Sequence, residues 1–379
     1  MHQLDGLGLM GSGSAGGGAG GGAGGGAGGG AGGGAGGGAG GGAGGGAGTL
    51  ADQYANTLYL RALGHTREGT VDPIDGFYPM ARNSPAGSVK NLWRWAPWVQ
   101  ASLFQQELLG GQISFMPIGD DGLEMHVQGE PFLTLHRPPD ALFQAQVADV
   151  LSYAALREDR AAEVLAQIDG QWPFWAAVLP LPTSDLPKLQ QMLSAVTQLA
   201  VAVEMQFKHH LACRRPIEWS AQVQPMITTP NHGTFPMGHA TQIYAVAVVL
   251  KAVFESALQA TLPPALATQI NRLAFRMSEN RIVAGVHFPT DLACGAVLGA
   301  VLGRYALDRL QQLQISRLAD PVFSAAAWNE AQMKNPLADA MAAQPRLAFA
   351  EQTLPAALSP ILEELWAEVV KELKQAMGR

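Results

Sequence analysis

The chain has 379 residues, 47% of them hydrophobic, and a formal net charge of −7 at pH 7. This acidic balance disfavours nucleic acid and anionic membranes as partners, because both carry negative charge. The two cysteines, Cys213 and Cys294, lack the spacing of a metal site, so we expect two buried thiols that indicate no particular compartment.

The first 48 residues differ in composition from the rest of the chain. Residues 15–46 are eight copies of Ala-Gly-Gly-Gly, which cannot bury apolar area and therefore predict a flexible leader outside the fold. The residues before this repeat have neither a basic start nor an apolar run of signal length, so no secretory signal is predicted. The chain from Thr49 onward is long enough for one large helical domain.

Hydrophobic periodicity predicts a mostly α fold, a helical bundle with a small accessory β-hairpin. Alternating apolar and polar residues at 112–135, around Gly119-Asp120-Asp121-Gly122, predict the hairpin. The helices are predicted at residues 50–63, 89–109, 139–167, 186–214, 240–258, 264–278 and 289–307, with two more toward the C-terminus. This order suggests an N-terminal helical region at 49–185, a core at 186–310 and C-terminal helices at 311–379.

The most apolar stretch, residues 292–302, is shorter than a membrane span and is bracketed by charged residues. It predicts a buried core helix, so we expect a soluble protein without a membrane span. Gly295, Gly299 and Gly303 recur there every four residues, which predicts close packing against another helix.

Cations and imidazoles gather in three stretches, of which the first is K-x6-R-P, from Lys208 to Pro216. Lys208 and Arg215 lie seven residues apart in a helical pattern, so about two turns bring them to one face. Pro216 disfavours helical backbone at Arg215, which predicts that Arg215 lies at a helix C-terminus with its side chain turned into a site.

The second stretch is P-x-G-H, from Pro236 to His239, and it follows a loop rich in Pro, Thr, Asn and Gly. Gly238 at the start of a helix suits the close approach of an oxyanion to a backbone N–H. His239 supplies an imidazole that can act as an acid or a base.

The third stretch is R-x5-H-x3-D, in which Arg281 adds another guanidinium to the cations. Pro289 suits a first helical position, which places His287 just before a helix and Asp291 in its first turn. The Asp291 carboxylate can then accept from one nitrogen of His287, fixing its tautomer and raising its basicity. Such an imidazole can be a nucleophile toward phosphorus or a ligand of a metal oxyanion.

The ordered triple resembles the superfamily that joins type 2 phosphatidic acid phosphatases, bacterial class A acid phosphatases and vanadium-dependent haloperoxidases. The resemblance covers residues 193–307 and implies a helical bundle around an oxyanion pocket. The residues that it assigns are Lys208, Arg215, Gly238 and Arg281 for anion binding, and His239, His287 and Asp291 for catalysis.

This chain departs from the family pattern at two positions. Met237 stands where the second motif has a serine, whose hydroxyl would donate to an oxyanion oxygen. Asn280 stands where the third motif has a serine before Arg281, a milder change because an amide still forms hydrogen bonds.

The resemblance implies two mechanisms for the same pocket. In a vanadium-dependent haloperoxidase, the cofactor is vanadate with His287 as the ligand of the metal, and hydrogen peroxide bound there oxidises halide. In a phosphatase, which needs no cofactor, His287 attacks phosphorus, Asp291 orients it, and His239 protonates the leaving alcohol before it activates water.

The sequence favours the haloperoxidase, because that class is soluble and has a long helical region ahead of its first motif. A soluble phosphomonoesterase acting on a small phosphoester is the alternative. A third hypothesis is a catalytically weakened oxyanion-binding protein, because Met237 removes a hydrogen-bond donor. A homo-oligomer is compatible with each of the three.

Overall fold

The structure is a computed structural model that describes residues 57–70, 89–168, 170–179, 186–323, 325 and 348–379. The predicted leader therefore lies outside the described residues. The chain divides into two compact units, one made of residues 11–98 and the other of Met1–Met10 with Val99–Arg379. In the smaller unit the structure describes helix α1 (Thr57–Thr70) and a 3₁₀ helix (Val89–Arg94).

The larger unit is mostly helical, as the sequence predicts, and it contains every candidate site residue. The longer helices from residue 97 onward are α2 (Pro97–Leu109), α3 (Asp140–Tyr153), α4 (Arg157–Ala166), α6 (Pro187–Leu211), α8 (Gly238–Leu258), α9 (Pro264–Val283), α10 (Pro289–Leu310) and α11 (Pro360–Ala376). The short helices are α5 (Trp172–Val178) and α7 (Pro216–Trp219).

The predicted hairpin is part of a four-stranded sheet, in the order β1, β2, β3, β5. Strands β1 (Ile113–Ile118), β2 (Gly122–Val127) and β3 (Glu130–His136) are antiparallel, and β5 (Val322–Phe323) pairs with β3 in parallel. A separate antiparallel pair joins β4 (Ile315–Leu318) to β6 (Phe349–Leu354). Local alternation predicts the hairpin, whereas the strands from the C-terminal part join through long-range pairing.

Helix α8 lies at the centre of the unit and packs against α6, α9, α10 and α11. The contact between α8 and α10 is the closest of these, and the three glycines of α10 explain why. A Cβ on Gly295 would lie 2.5 Å from the Met237 carbonyl oxygen, and a Cβ on Gly303 would lie 2.7 Å from that of Ala245. The predicted packing role of the glycine stripe is thus confirmed.

Three details of the helix prediction need correction. Residues 89–109 form a 3₁₀ helix (Val89–Arg94) and α2 (Pro97–Leu109) instead of one helix. The predicted helix at 139–167 is broken by a 3₁₀ turn (Ala154–Leu156), which separates α3 from α4. Helix α5 is missing from the prediction, because its seven residues, WPFWAAV, are too short to show helical periodicity. Of the two helices predicted near the C-terminus, the structure describes α11.

Among the described residues, α8 and α10 are long and apolar enough to cross a membrane. Length and composition do not separate a membrane span from a core helix. In the most apolar window of each helix, 67% of α8 and 94% of α10 are buried inside the protein. Packing in the protein core therefore accounts for the apolar composition of α10.

Candidate active site

Four helix ends bring the three stretches together. Lys208 lies in the last turn of α6, Gly238 and His239 begin α8, Arg281 lies in the last turn of α9, and His287 lies two residues before the start of α10. Helix ends expose backbone N–H and C=O groups that regular helix interiors use up. The site therefore combines charged side chains with backbone groups at helix ends.

Lys208 is almost fully buried, and its Nζ donates to the carbonyl oxygens of Gly233 at 3.0 Å and Thr234 at 3.1 Å. Burial, and then the charge of Arg215, lower the pKa of Lys208. The ammonium thus joins α6 to the loop that precedes the second motif.

The predicted placement of Lys208 and Arg215 on one face of one helix is wrong. Helix α6 ends at Leu211, because Ala212 adopts a left-handed backbone with φ of 46°. Arg215 has extended backbone and immediately precedes α7, which Pro216 begins. The two cations reach the same site from either side of a chain reversal, with Arg215 at a helix start instead of a helix end.

The Arg215 guanidinium is buried and makes four described contacts. Its Nε donates to the His232 carbonyl oxygen at 3.0 Å, and Nη1 donates to the Val286 carbonyl oxygen at 2.8 Å. Its Nη2 lies 3.1 Å from His232 Nδ1, and its Nη1 lies 3.0 Å from His287 Nε2. A guanidinium can only donate, so His287 Nε2 must accept and must carry a lone pair.

The other side of the His287 ring fixes its proton. Nδ1 lies 3.0 Å from Asp291 Oδ2 and 3.2 Å from Thr234 Oγ1. The Thr234 hydroxyl donates to the same carboxylate oxygen at 2.5 Å, so its own oxygen is left to accept from Nδ1–H. Burial, Arg215 and Lys208 hold the pKa of His287 well below its ordinary value. His287 is therefore a neutral imidazole with its lone pair on Nε2.

Asp291 is fully buried in the first turn of α10, where Oδ2 also accepts from the Phe288 backbone N–H at 2.8 Å. Burial raises the pKa of Asp291 to about 6, against the lowering effect of the Thr234 and Phe288 hydrogen bonds. Its Oδ1 is buried without a partner among the described residues.

His239 occupies the second position of α8 and is half-buried. Its Nε2 lies 3.1 Å from the backbone carbonyl oxygen of Gln167, so Nε2 carries a proton and Nδ1 is the basic nitrogen. Burial, and then the charge of Arg281, lower the pKa of His239 to about 3.

Arg281 is buried near the end of α9, and its Nη2 donates to the Val164 carbonyl oxygen at 2.8 Å. Its Nε has no hydrogen-bond partner among the described residues. Burial lowers the pKa of Arg281 to about 10, which leaves the group charged at neutral pH. An anion oxygen would satisfy this unused donor.

Gly238 begins α8 and lies against a buried side chain. A Cβ at this position would lie 2.5 Å from Glu204 Oε1. Glu204 lies one helical turn before Lys208 and is buried, with Oε1 accepting from Gln242 Nε2 at 3.1 Å. Its other oxygen has no partner among the described residues. A buried carboxyl group thus lies directly behind the proposed anion-binding amide.

Sequence reasoning missed four contributors to this geometry. Thr234 and His232 lie in the loop before the second motif, Glu204 lies four residues before Lys208, and Gln167 immediately follows α4. The i, i+4 spacing of Glu204 and Lys208 in the sequence does indicate that these two side chains are neighbours on a helix. The contacts of the other three come from loop packing, for which the sequence has no periodic signal.

The arrangement combines three buried cations, a neutral imidazole with its lone pair directed at Arg215, and a helix N-terminus. These groups suit an oxyanion, because charge-assisted hydrogen bonds can reach it from several directions. Among the described residues, no group of three or more His, Cys, Asp and Glu side chains could hold a metal ion.

Comparison with known proteins agrees with this chemistry. Residues 190–314 match the family model described as the PAP2 superfamily. We call these matched residues the PAP2 region. Curated relatives include decaprenylphosphoryl-5-phosphoribose phosphatase from two strains of Mycobacterium tuberculosis, each 28% identical over 132 residues, which is 34% of this chain and 67% of the relative. The predicted resemblance is thereby confirmed.

The PAP2 region contains all seven residues that the motifs assign. It does not contain Val164 or Gln167, the two residues whose carbonyl oxygens contact Arg281 and His239. Two of the hydrogen-bond partners in the described site therefore lie outside the PAP2 region.

Proposed function

We propose that the protein is a phosphohydrolase that cleaves phosphomonoesters through a phosphohistidine at His287. The single observation that carries this proposal is the state of His287, a buried neutral imidazole with Nδ1 fixed by Asp291 and the lone pair on Nε2. The PAP2 region and a relative that is named a phosphatase support the same reaction class.

In the first step, His287 Nε2 attacks phosphorus while the bond from phosphorus to the leaving oxygen breaks. Arg215 Nη1, which contacts Nε2 in this structure, moves its hydrogen bond to a phosphoryl oxygen and so frees the lone pair. The resulting imidazolium is stabilised by the Asp291 carboxylate, which accepts from Nδ1.

His239 donates a proton from Nδ1 to the leaving oxygen in this step. Its pKa is low in the structure because of burial and Arg281. A bound phosphoryl dianion adds negative charge beside the ring, which raises the pKa and favours the protonated imidazole. In the second step, neutral Nδ1 takes a proton from water as the water attacks phosphorus and the bond to His287 breaks.

Lys208, Arg215 and Arg281 stabilise the charge that develops on the phosphoryl oxygens. All three are buried, so their interactions with an oxyanion are stronger than they would be in water. The backbone N–H of Gly238 supplies a neutral donor at the N-terminus of α8.

We also propose that the leaving alcohol has an apolar part. Leu165, Ile168 and Ile217 are exposed by 54%, 39% and 39%, and they follow Val164, Gln167 and Pro216 in the chain. Val164 and Gln167 contact site side chains, and Pro216 follows Arg215. The named substrate of the Mycobacterium tuberculosis relatives carries a decaprenyl group, which agrees with this suggestion.

Vanadium-dependent haloperoxidase is the competing function, and the residues also fit vanadate. His287 would hold the vanadium, the three cations would surround its oxygens, and the bound group would supply activation of peroxide toward halide. Trp219 is poorly placed to give a halide an apolar wall, because its ring packs under Arg214 at 4.0 Å and beside Phe143. The named relatives are phosphatases, and so we place hydrolysis first.

The third hypothesis, a weakened oxyanion-binding protein, depends on Met237. Loss of one donor to an anion costs about 1.5 to 3 kcal/mol. Because three cations and the Gly238 amide are retained, we expect altered activity and not its loss.

The decisive experiment compares both activities on one purified preparation. Hydrolysis of octyl phosphate and of p-nitrophenyl phosphate is measured without vanadate, and bromide and chloride oxidation by peroxide is measured after orthovanadate is added. We expect hydrolysis, inhibition of hydrolysis by orthovanadate, and an acid-labile phosphoryl group on His287 in quenched samples. Vanadate-dependent halide oxidation with negligible hydrolysis would reverse the assignment, and anion binding without either activity would favour the third hypothesis.

The substrate suggestion is tested with alkyl phosphates of increasing chain length. Each methylene that becomes buried contributes up to about 0.8 kcal/mol, so kcat/KM should rise from ethyl to octyl phosphate. A constant kcat/KM across the series would exclude an apolar subsite while leaving the hydrolytic function intact.

A further inference from the structure

Helix α4 ends against Arg281 and His239, the site residues on the side of the proposed acid–base catalyst. The last four carbonyl groups of a helix have no partner inside it. One of these in α4, the Val164 carbonyl, accepts from Arg281 Nη2 at 2.8 Å. The carbonyl of Gln167, the residue that follows the helix, accepts from His239 Nε2 at 3.1 Å.

A buried amide holds this helix end in place. Asn280 is fully buried, and its Nδ2 donates to Gln167 Oε1 at 2.9 Å and to Glu163 Oε2 at 3.1 Å. Its Oδ1 accepts from Arg160 Nη1 at 2.8 Å. Gln167 is buried as well, so the side chain of one residue is anchored by Asn280 while its backbone contacts His239.

Only an amide can make this set of contacts with one side chain. Asn280 donates two hydrogen bonds and accepts one, whereas a serine hydroxyl has a single proton to donate. Asn280 stands where the family has a serine, and it makes contacts with the end of α4 that a serine could not make. These partners lie outside the PAP2 region.

The helix end has two effects on His239. The Gln167 carbonyl fixes the proton on Nε2, so that Nδ1 is the nitrogen that exchanges protons with the substrate. A helix C-terminus also carries partial negative charge, which stabilises a nearby imidazolium. Both effects favour the form of His239 that protonates a leaving group.

We propose that Gln167 and Asn280 are positioning residues, and that the C-terminus of α4 makes His239 an effective general acid. This inference rests on the proposed hydrolytic function. The C-terminus of α4 lies outside the PAP2 region and acts on one step, the protonation of the leaving oxygen.

The test uses the leaving group to isolate that step. A nitrophenolate leaves without protonation, whereas an alkoxide does not. In Gln167→Leu, which keeps the side-chain size but removes the acceptor, kcat/KM for octyl phosphate should fall by about tenfold or more. The same variant should lose less than about threefold with p-nitrophenyl phosphate. Asn280→Ser should show the same bias with a smaller loss.

Gln191→Leu is the matched control, because Gln191 is a buried glutamine on α6, about 25 Å along the helix from Lys208. It should lose stability without any bias between the two substrates. Gln167→Glu, which keeps an acceptor for Asn280, should recover most of the octyl phosphate activity. Equal losses on both substrates in Gln167→Leu would show a purely structural role and overturn the proposal.

A measurement that needs no turnover separates this inference from the proposed function. The ring nitrogens of His239 are observed by ¹⁵N NMR in the resting protein and in Gln167→Leu. We expect a single tautomer with the proton on Nε2, and a mixture in the variant. A mixture already in the unmodified protein would overturn the positioning role, whatever reaction the site performs. Failure to hydrolyse either phosphate, with the tautomer fixed as expected, would instead count against the phosphatase function.

Discussion

The two imidazoles of the site are held by different parts of the molecule. His287 is held by Asp291, Thr234 and Arg215, which all lie within the PAP2 region. His239 has its described hydrogen bond with Gln167, which lies outside that region. The nucleophile side is thus built from one continuous segment, and the acid–base side needs a second one.

The difference follows from distance along the chain. His287 and Asp291 are four residues apart at a helix start, so local backbone geometry nearly ensures their contact. His239 and Gln167 are 72 residues apart, and the packing of both α4 and α8 against α9 brings them together. The three motifs alone therefore do not determine the position of Gln167 beside His239.

The largest expected effect is on the nucleophile side, in His287→Ala. This change removes the attacking nitrogen, so kcat/KM should fall by more than about a thousandfold for any phosphomonoester. His209→Ala is the control, because His209 is exposed on α6 and should leave activity unchanged. Near-normal turnover in a folded His287→Ala protein would refute the assignment.

The groups around His287 can then be ranked by the loss of kcat/KM that their removal should cause. Asp291→Ala leaves the nucleophile but frees its tautomer, so we expect a loss of about ten- to a hundredfold. Thr234→Val removes one hydroxyl from the same carboxylate and should cost less than Asp291→Ala. Both should affect octyl and p-nitrophenyl phosphate alike, unlike variants at Gln167. Damage in Asp291→Ala equal to that in His287→Ala would mean that the roles are wrongly assigned.

Met237→Ser tests whether the anion site lacks a donor. The Met237 side chain is fully buried just before α8. If the family hydroxyl is restored toward the anion, phosphate or vanadate should bind roughly tenfold more tightly, since a hydrogen bond to a charged group contributes about 1.5 to 3 kcal/mol. Binding and melting temperature are measured on the same variant. Unchanged affinity with a lower melting temperature would show that Met237 is only a packed side chain.

The smallest effect is a pH-dependent stability change in Glu204→Gln. Burial raises the pKa of Glu204 to about 7, while Lys208 and Arg215 oppose the shift and Gln242 donates to the carboxyl group. The folded state then binds this proton more tightly than the unfolded chain, so stability decreases as pH rises from about 4.5 to 7. Glu204→Gln should raise the melting temperature at pH 8 and leave it nearly unchanged at pH 4. A lower melting temperature at pH 8 would instead indicate an ionised Glu204 paired with Lys208.

The helix prediction was most accurate where periodicity was strong. It located α6, α8 and α10 and the glycine stripe, because a helix that is buried by its neighbours shows its contacts in its own sequence. It missed α5 and the break between α3 and α4, because single turns leave no periodic signal. It also placed Arg215 at a helix C-terminus instead of a helix start. The left-handed residue that ends α6 is Ala212 and not a glycine, so the sequence does not indicate where α6 ends.

The sequence by itself determined the mostly α fold, the resemblance to the family and the identities of the cations and imidazoles, because these follow from helical periodicity and from short, ordered motifs. Only the tertiary structure decided the proton on each histidine, the buried carboxyl group of Glu204 behind Gly238, and the contacts of α4 with His239 and Arg281. These features depend on which donor meets which acceptor across distant segments, and hydrogen bonds of that kind arise from packing and not from local chain geometry.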